Sequence, residues 1–447
     1  MLPMHSCRPE QCRDAPAARR NATEVLTFSS RGERLPSCLT PAPNASSKKT
    51  CAVKLNAAQC WLLACALLTA CHTAGPAAAK YPPPVNPNAT PEARALLNFI
   101  YGISGNHILT GQHNFPATKD ASTQGATRAY HKVPVIFGQD FGFDSPGRKD
   151  AYTARPDMIA EVKRQFAKGS IIALCWHAVP PTADEPVIFQ VSRRGRGAAA
   201  ATNAAAGKPP MLASVQGRLT DEQWKDVTTP GTDLYKHWCA QVDVIAGFLK
   251  QLQDAHIPVL WRPYHEMNGQ WFWWGGRRAD PEKGIKGTKD LYIQIYDRLV
   301  NYHKLNNLIW IWSVDRANPP SLQFAECFPG SQYVDIAALD VYGSDFKQSF
   351  YEDLLKLANG KPVTLAEVGP PPTLAVLARQ PKWCWWMTWA SDSGNIRHSD
   401  AVQALFDDPR SYSLSDPEFI KAFAPTRAAY GLPPLSLVLP PPAQTNR

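Results

Sequence analysis

Pro258-Val259-Leu260-Trp261-Arg262-Pro263-Tyr264-His265-Glu266 runs a short apolar stretch straight into three side chains able to carry chemistry. Upstream, Tyr235–Gln253 places its apolar residues near a 3.6 spacing with few breakers, and downstream Lys289–Lys304 does the same, so both read as helices. Between two helices, an apolar run this short and closed by a proline reads as a strand covered on both faces.

The same unit recurs outward from that point. Seven more apolar runs qualify as strands: Ile108–Gly111, Val133–Phe137, Ile171–Trp176, Leu308–Ser313, Asp335–Val341, Val363–Ala366 and Cys384–Trp389. Asp157–Ala167 and Phe350–Ala358 supply further helical stretches between them. Eight strand–helix units predict an α/β chain folded as a single (β/α)₈ TIM barrel over residues 80–430. No period of about twenty to fifty residues repeats, so a solenoid or propeller is not supported. Barrels carry their chemistry on loops at the carboxyl ends of the strands. Trp176-His177, His265-Glu266, Asp340-Val341-Tyr342, Glu367 and Trp389 all fall at such ends. Pro181–Leu219, the longest interruption, follows the third strand and reads equally as a mobile loop on the catalytic rim or as a tolerated insertion, with a low-complexity Ala198–Ala206 stretch inside it.

The formal charge of +9 does not mark an acidic partner, because more than half of it resides in residues 1–79. The dense basic run Arg193-Arg194-Gly195-Arg196 lacks interleaved aromatics, so it reads as a solvated loop and no nucleic acid is implied. Fourteen tryptophans suit either a carbohydrate ligand, whose C–H faces stack on indole, or an aromatic core. Of 11 cysteines, only Cys175, Cys239, Cys327 and Cys384 lie beyond Cys71, without CxxC spacing. They read as buried thiols, and no metal-ligand spacing such as HExxH is present.

Residues 1–79 read as a targeting segment. Ala57–Ala70 is apolar, follows Lys48, Lys49 and Lys54, and is too short to span a bilayer. It ends Leu68-Thr69-Ala70-Cys71, which resembles a bacterial lipobox, so Cys71 is expected to be lipidated and to hold the protein on a membrane; simple secretion is the alternative. About fifty residues without pattern precede this signal, which is explained if translation starts at Val53. His72–Pro91, rich in Ala, Pro and Asn, suits a tether, and residues 431–447 read as a Pro-rich tail.

Trp261 to Gly275, with His265-Glu266-Met267-Asn268-Gly269 and Trp271-Phe272-Trp273-Trp274-Gly275 at fixed spacing, resembles the signature of glycoside hydrolase family 26, the β-mannanase family. Phe328-Pro329-Gly330, Tyr333-Val334-Asp335, Leu339-Asp340-Val341-Tyr342 and Ala366-Glu367-Val368-Gly369 extend the likeness, which covers roughly residues 95–425. The resemblance implies Glu266 as general acid/base and Glu367 as nucleophile of a retaining glycosidase. That chemistry uses two carboxyl groups about 5–5.5 Å apart and no cofactor. It further implies that Tyr342 hydrogen-bonds the nucleophile, and that His177, His265, Trp271 and Trp389 line the sugar site. Arg262, Asn268 and Asp340 are read as supporting residues. The expected partner is a β-1,4-linked mannan, glucomannan or galactomannan. Mixed-linkage β-glucan or β-1,3-xylan, and a catalytically silent glycan-binding lipoprotein, are the alternatives. One departure concerns the distal sugar contacts: Trp389 is followed by Ala390, where family members often carry Arg.

Overall fold

The eight apolar runs fold as eight parallel strands buried along their whole length: β1 (Ile108–His113), β2 (Ile136–Asp140), β3 (Ile171–Trp176), β4 (Val259–Pro263), β5 (Leu308–Asp315), β6 (Ile336–Val341), β7 (Val363–Val368) and β8 (Trp383–Thr388). The computed structural model describes residues 80–143, 151–189, 213–390 and 398–436. Each strand pairs with its sequence neighbour, and β8 pairs back onto β1, so the sheet closes into a barrel. A two-residue strand, β9 (Ser411–Tyr412), adds to the start of β1. Cys71 with the Leu68–Cys71 motif, Arg193–Arg196, Ala198–Ala206 and residues 437–447 lie outside the described residues.

Side chains on most strands alternate between two cores, whereas Cys384 and Trp385 on β8 both enter the inner one, beside a register shift from β7. On β5, Ile309 and Ile311 enter the inner core, while Leu308, Trp310 and Trp312 enter the outer one against the helices. Among the described residues eleven tryptophans, Trp176, Trp261, Trp310 and Trp386 included, are fully buried, so the richness in Trp is chiefly a packing feature. The four cysteines are free and buried. Helix Pro91–Ile103 plugs the floor of the barrel. Thr90 caps it by accepting from Ala93 N at 3.2 Å, Pro91 occupies its first turn, and Leu96, Leu97, Ile100 and Ile103 face the inner core. Helix Pro417–Ala429 packs beside it, with the rings of Phe99 and Phe423 4.9 Å apart.

The differences from the expected boundaries have local causes. β2 begins at Ile136 rather than Val133 because Pro134 has no N–H to give to a ladder, and it runs on to Asp140. β1 likewise extends to His113. The helix expected to start at Asp157 reaches back to Ala151, with Pro156 inside it. Part of the stretch expected to be a tether is docked: Val85 N donates to Asp335 Oδ1 at 2.7 Å, and Val85 O accepts from the Tyr296 hydroxyl at 2.9 Å. At the other end, Arg427 Nε donates to Pro433 O at 2.8 Å, and Leu432 and Leu435 pack against the inner core.

Candidate active site

Glu266 stands just past the end of β4, on backbone that turns sharply. Tyr264 and Glu266 have φ of 47° and 51°, a left-handed conformation costly for side chains of this size, so the surroundings must hold it. Several contacts do. Gly269 N donates to Glu266 O at 2.9 Å, and Trp274 Nε1 to His265 O at 2.8 Å. Asn268 grips the end of β5 by giving Nδ2–H to Asp315 O at 2.7 Å and accepting from Asp315 N at 2.8 Å. Gly269 has a packing reason: a Cβ there would lie 2.3 Å from the Trp271 ring. That clearance lets Trp271 fold back and donate its indole N–H to Glu266 Oε2 at 2.6 Å.

Glu367, near the end of β7, is dressed differently. Tyr342 donates its hydroxyl to Oε1 at 2.5 Å, and Arg262 Nη2 donates to Oε2 at 2.6 Å. Arg262 also gives Nη1–H to Asp340 Oδ2 at 2.7 Å, and that oxygen accepts from Ser313 Oγ at 2.9 Å. Tyr342 is held from behind, where Arg316 Nη1 donates to its carbonyl at 2.7 Å. Because Arg262 lies on the same strand as the approach to Glu266, its bond to Glu367 ties β4 to β7 across the barrel interior and turns both carboxylates toward one space.

Beside Glu266 lie the histidines, His265 preceding it in the chain and His177 following the neighbouring strand β3. His177 Nε2 and His265 Nε2 are 3.1 Å apart, and His177 Nδ1 is bonded to Asp140. The other Asp140 oxygen accepts from His177 N at 3.0 Å and Gly142 N at 2.7 Å. Trp389 caps this wall, with the His113 ring stacked flat beneath it at 3.7 Å and 19°. Arg155, buried in the following helix, steadies the two neighbouring loops by donating Nε–H to Phe141 O at 2.9 Å and pairing with Glu185.

The two carboxylates sit in unlike fields. Burial pushes Glu266 well above the usual carboxylate range, and Glu367, Asp340 and Asp315 add to this, with the Trp271 bond opposing. Burial, with Glu367 beside it, raises the Tyr342 phenol far above its ordinary value, so it remains a donor. Burial, with His177 adjacent, keeps His265 uncharged, and burial pushes His113 down to about 3. Asp140 is the reverse: burial works against its charge, but His177 and its hydrogen bond outweigh that, and it stays ionised.

The structure therefore gathers Glu266, Glu367, His177, His265, Trp271, Tyr342 and Trp389 at one end of the barrel, with Arg262, Asn268 and Asp340 supporting them from beneath. Asp140, His113, Ser313, Asp315 and Arg316 join the site without having been singled out in the sequence. His113 and Asp140 were hidden because both expected strands stopped short of them, although a polar residue closing an apolar run is the signal that exposed Glu266.

Residues 85–416 match the model of glycosyl hydrolase family 26. The chain is 32% identical to a mannan endo-1,4-β-mannosidase of Thermothelomyces thermophilus, over 72% of this chain and 59% of that one. A Bacillus subtilis enzyme of the same name is 28% identical over 77% of this chain and 92% of its own. Against relatives from Piromyces and Thermothelomyces the chain spans between 45% and 59% of their length. Among solved structures, GH26A from Muricauda sp. MAR_2010_75 is 37% identical with a TM-score of 0.63, covering 74% of this chain and 98% of that chain. The GH26-CBM35 β-(1,4)-mannanase of Podospora anserina is 25% identical with a TM-score of 0.59, covering 79% and 72%. With a family match across most of its length and a barrel that focuses two unlike carboxylates, the chain belongs to glycosyl hydrolase family 26.

Proposed function

We propose that the protein hydrolyses β-1,4-mannosidic bonds in mannan-type polysaccharides with net retention. The observation that carries this reading is the asymmetric dressing of the two carboxylates. Among the described residues Glu367 has a guanidinium and a phenol stabilising its charge, whereas Glu266 has an indole N–H alone and a buried setting that favours its proton. A nucleophile must be ionised and an acid must hold its proton.

In the first step a Glu367 oxygen attacks the anomeric carbon. The glycosidic bond breaks, its electron pair goes to the leaving oxygen, and that oxygen takes the proton of Glu266. The glycosyl ester then meets water. Glu266, now ionised, removes a proton as the water oxygen bonds to the anomeric carbon, and the Glu367 ester oxygen departs with its pair. His177, His265, Trp271 and Trp389 hold the sugar, the rings by stacking and the imidazoles by hydrogen bonds. Mannan as substrate rests on the names of the relatives.

Reducing-sugar release from purified mannan, glucomannan, mixed-linkage glucan and xylans, with native protein and Glu367→Ala side by side, tests the reading. Release confined to mannans and lost in the variant supports it; preferential cleavage of xylan or mixed-linkage glucan overturns the substrate, and residual turnover in the variant overturns the nucleophile. We further propose, from Leu68-Thr69-Ala70-Cys71 alone, that the protein is exported and lipid-anchored through Cys71. The mass of the N-terminal peptide from native protein tests this, and an unmodified Cys71 or a peptide beginning upstream of it would sink it.

A further inference from the structure

Beneath the Trp389 wall lies a group of donors that the hydrolytic reading leaves without a full role. His113, Asp140 and Cys175 come from three adjacent strands, β1, β2 and β3, and each offers a nitrogen, oxygen or sulfur atom within 4.8 Å of the others. All three are at least nine-tenths buried, with exposures of 1%, 4% and 2%. His113 is the telling member. Among the described residues neither of its ring nitrogens has a hydrogen-bond partner, although a buried imidazole normally has at least one. Its uncharged ring keeps a free lone pair within reach of a carboxylate and a thiol.

We infer that His113, Asp140 and Cys175 form a zinc-ion site under the sugar-binding wall, and that filling it withdraws Asp140 from His177. The donor chemistry selects the ion. One imidazole, one carboxylate and one thiolate match the borderline-soft preference of Zn²⁺, which takes three protein ligands and leaves a fourth position open. A tetrahedral ion holds such donors about 3.5 Å from one another, so filling the site draws the three side chains inward. Coordination replaces the thiol proton of Cys175, which passes to the buffer, and Asp140 Oδ2 exchanges its bond to His177 Nδ1 for one to the metal. No electrons are transferred. His177 then loses the contact that fixes its ring against His265, and His113 tilts from beneath Trp389. Zinc therefore acts as an inhibitor. The pattern was invisible along the chain because consecutive ligands are 27 and 35 residues apart on separate strands.

The test uses the full chain, dialysed against ZnCl₂ and then metal-free buffer, with bound zinc counted per chain. The cysteines at or before Cys71 contribute equally to every variant, so the differences carry the result. Native protein and Cys327→Ser should each retain one equivalent more than Cys175→Ser, whose zinc affinity falls more than about 10-fold. Co²⁺ should give a thiolate charge-transfer band that Cys175→Ser lacks. His113→Phe, which keeps a ring under Trp389, should behave as Cys175→Ser does and covers the case in which the serine variant misfolds. Equal retention by native, Cys175→Ser and His113→Phe would overturn the site. The inhibition arm rests on the functional reading above: polysaccharide hydrolysis by native protein should fall on titration with ZnCl₂ and recover with chelator, while Cys175→Ser stays active. Zinc bound at Cys175 without change in hydrolysis would overturn the coupling to His177, whereas loss of hydrolysis by all proteins without zinc would tell against the glycosidase reading instead.

Discussion

The division of labour proposed for Glu266 and Glu367 makes two single-residue predictions. Removing the acid matters only when the leaving oxygen needs a proton, so Glu266→Ala should lower kcat/KM about 10²–10⁴-fold on polysaccharide and far less on an aryl glycoside with an activated phenol. Steady-state rates on the two substrates check this; equal losses would contradict the assignment. The second prediction concerns pH. With Glu266 as the proposed acid, hydrolysis requires its proton, so activity should fall as pH rises through its elevated pKa. The Trp271 N–H stabilises the ionised form, and Trp271→Phe should therefore shift the basic limb of kcat/KM to higher pH, as a pH–rate profile would show. These residues were legible in the sequence because their chemistry ends an apolar run without interruption. Gln112-His113 and Gly138-Gln139-Asp140 were not, since polar and glycine residues inside the last turns of β1 and β2 make a buried strand look finished too early.

Connections between elements hold the site as firmly as the strands themselves. The turn after β4 works only because Gly269 leaves room for the Trp271 ring. Gly269→Ala should push the indole off Glu266 and lower kcat/KM by up to about 100-fold while the melting temperature changes little, which kinetics and a thermal scan on the same sample would separate. Asp335 makes a different join. Its two oxygens accept from Val85 N at 2.7 Å and Trp310 N at 2.9 Å, buttoning the entering chain to β5. Asp335→Ala leaves both donors unpaired, and denaturant unfolding should show a loss of about 2–5 kcal/mol. The strand order was readable from alternation of short apolar runs with amphipathic helices. The docking of Val85 was not, because one backbone N–H meeting a carboxylate 250 residues away has no local signature.

Across the whole molecule, stability and chemistry occupy opposite ends of one barrel. The cleft end receives a side chain from or just beyond every strand: His113, Asp140, His177, Glu266, Asp315, Tyr342, Glu367 and Trp389. The floor is apolar and closed by helix Pro91–Ile103, in which Leu97 is 1% exposed. Leu97→Ala should cost about 2–5 kcal/mol by denaturant unfolding and leave the KM for polysaccharide unchanged. The fold class could be read at this scale since eight similar units admit few closed arrangements. The plug could not, because an amphipathic helix does not announce which opening it stops. That plug packs against helix Pro417–Ala429, so the barrel's first and last helices meet at the same pole. Topologically the domain is a ring with its seam at the base, so the eight cleft residues follow one another around the rim in chain order without interruption.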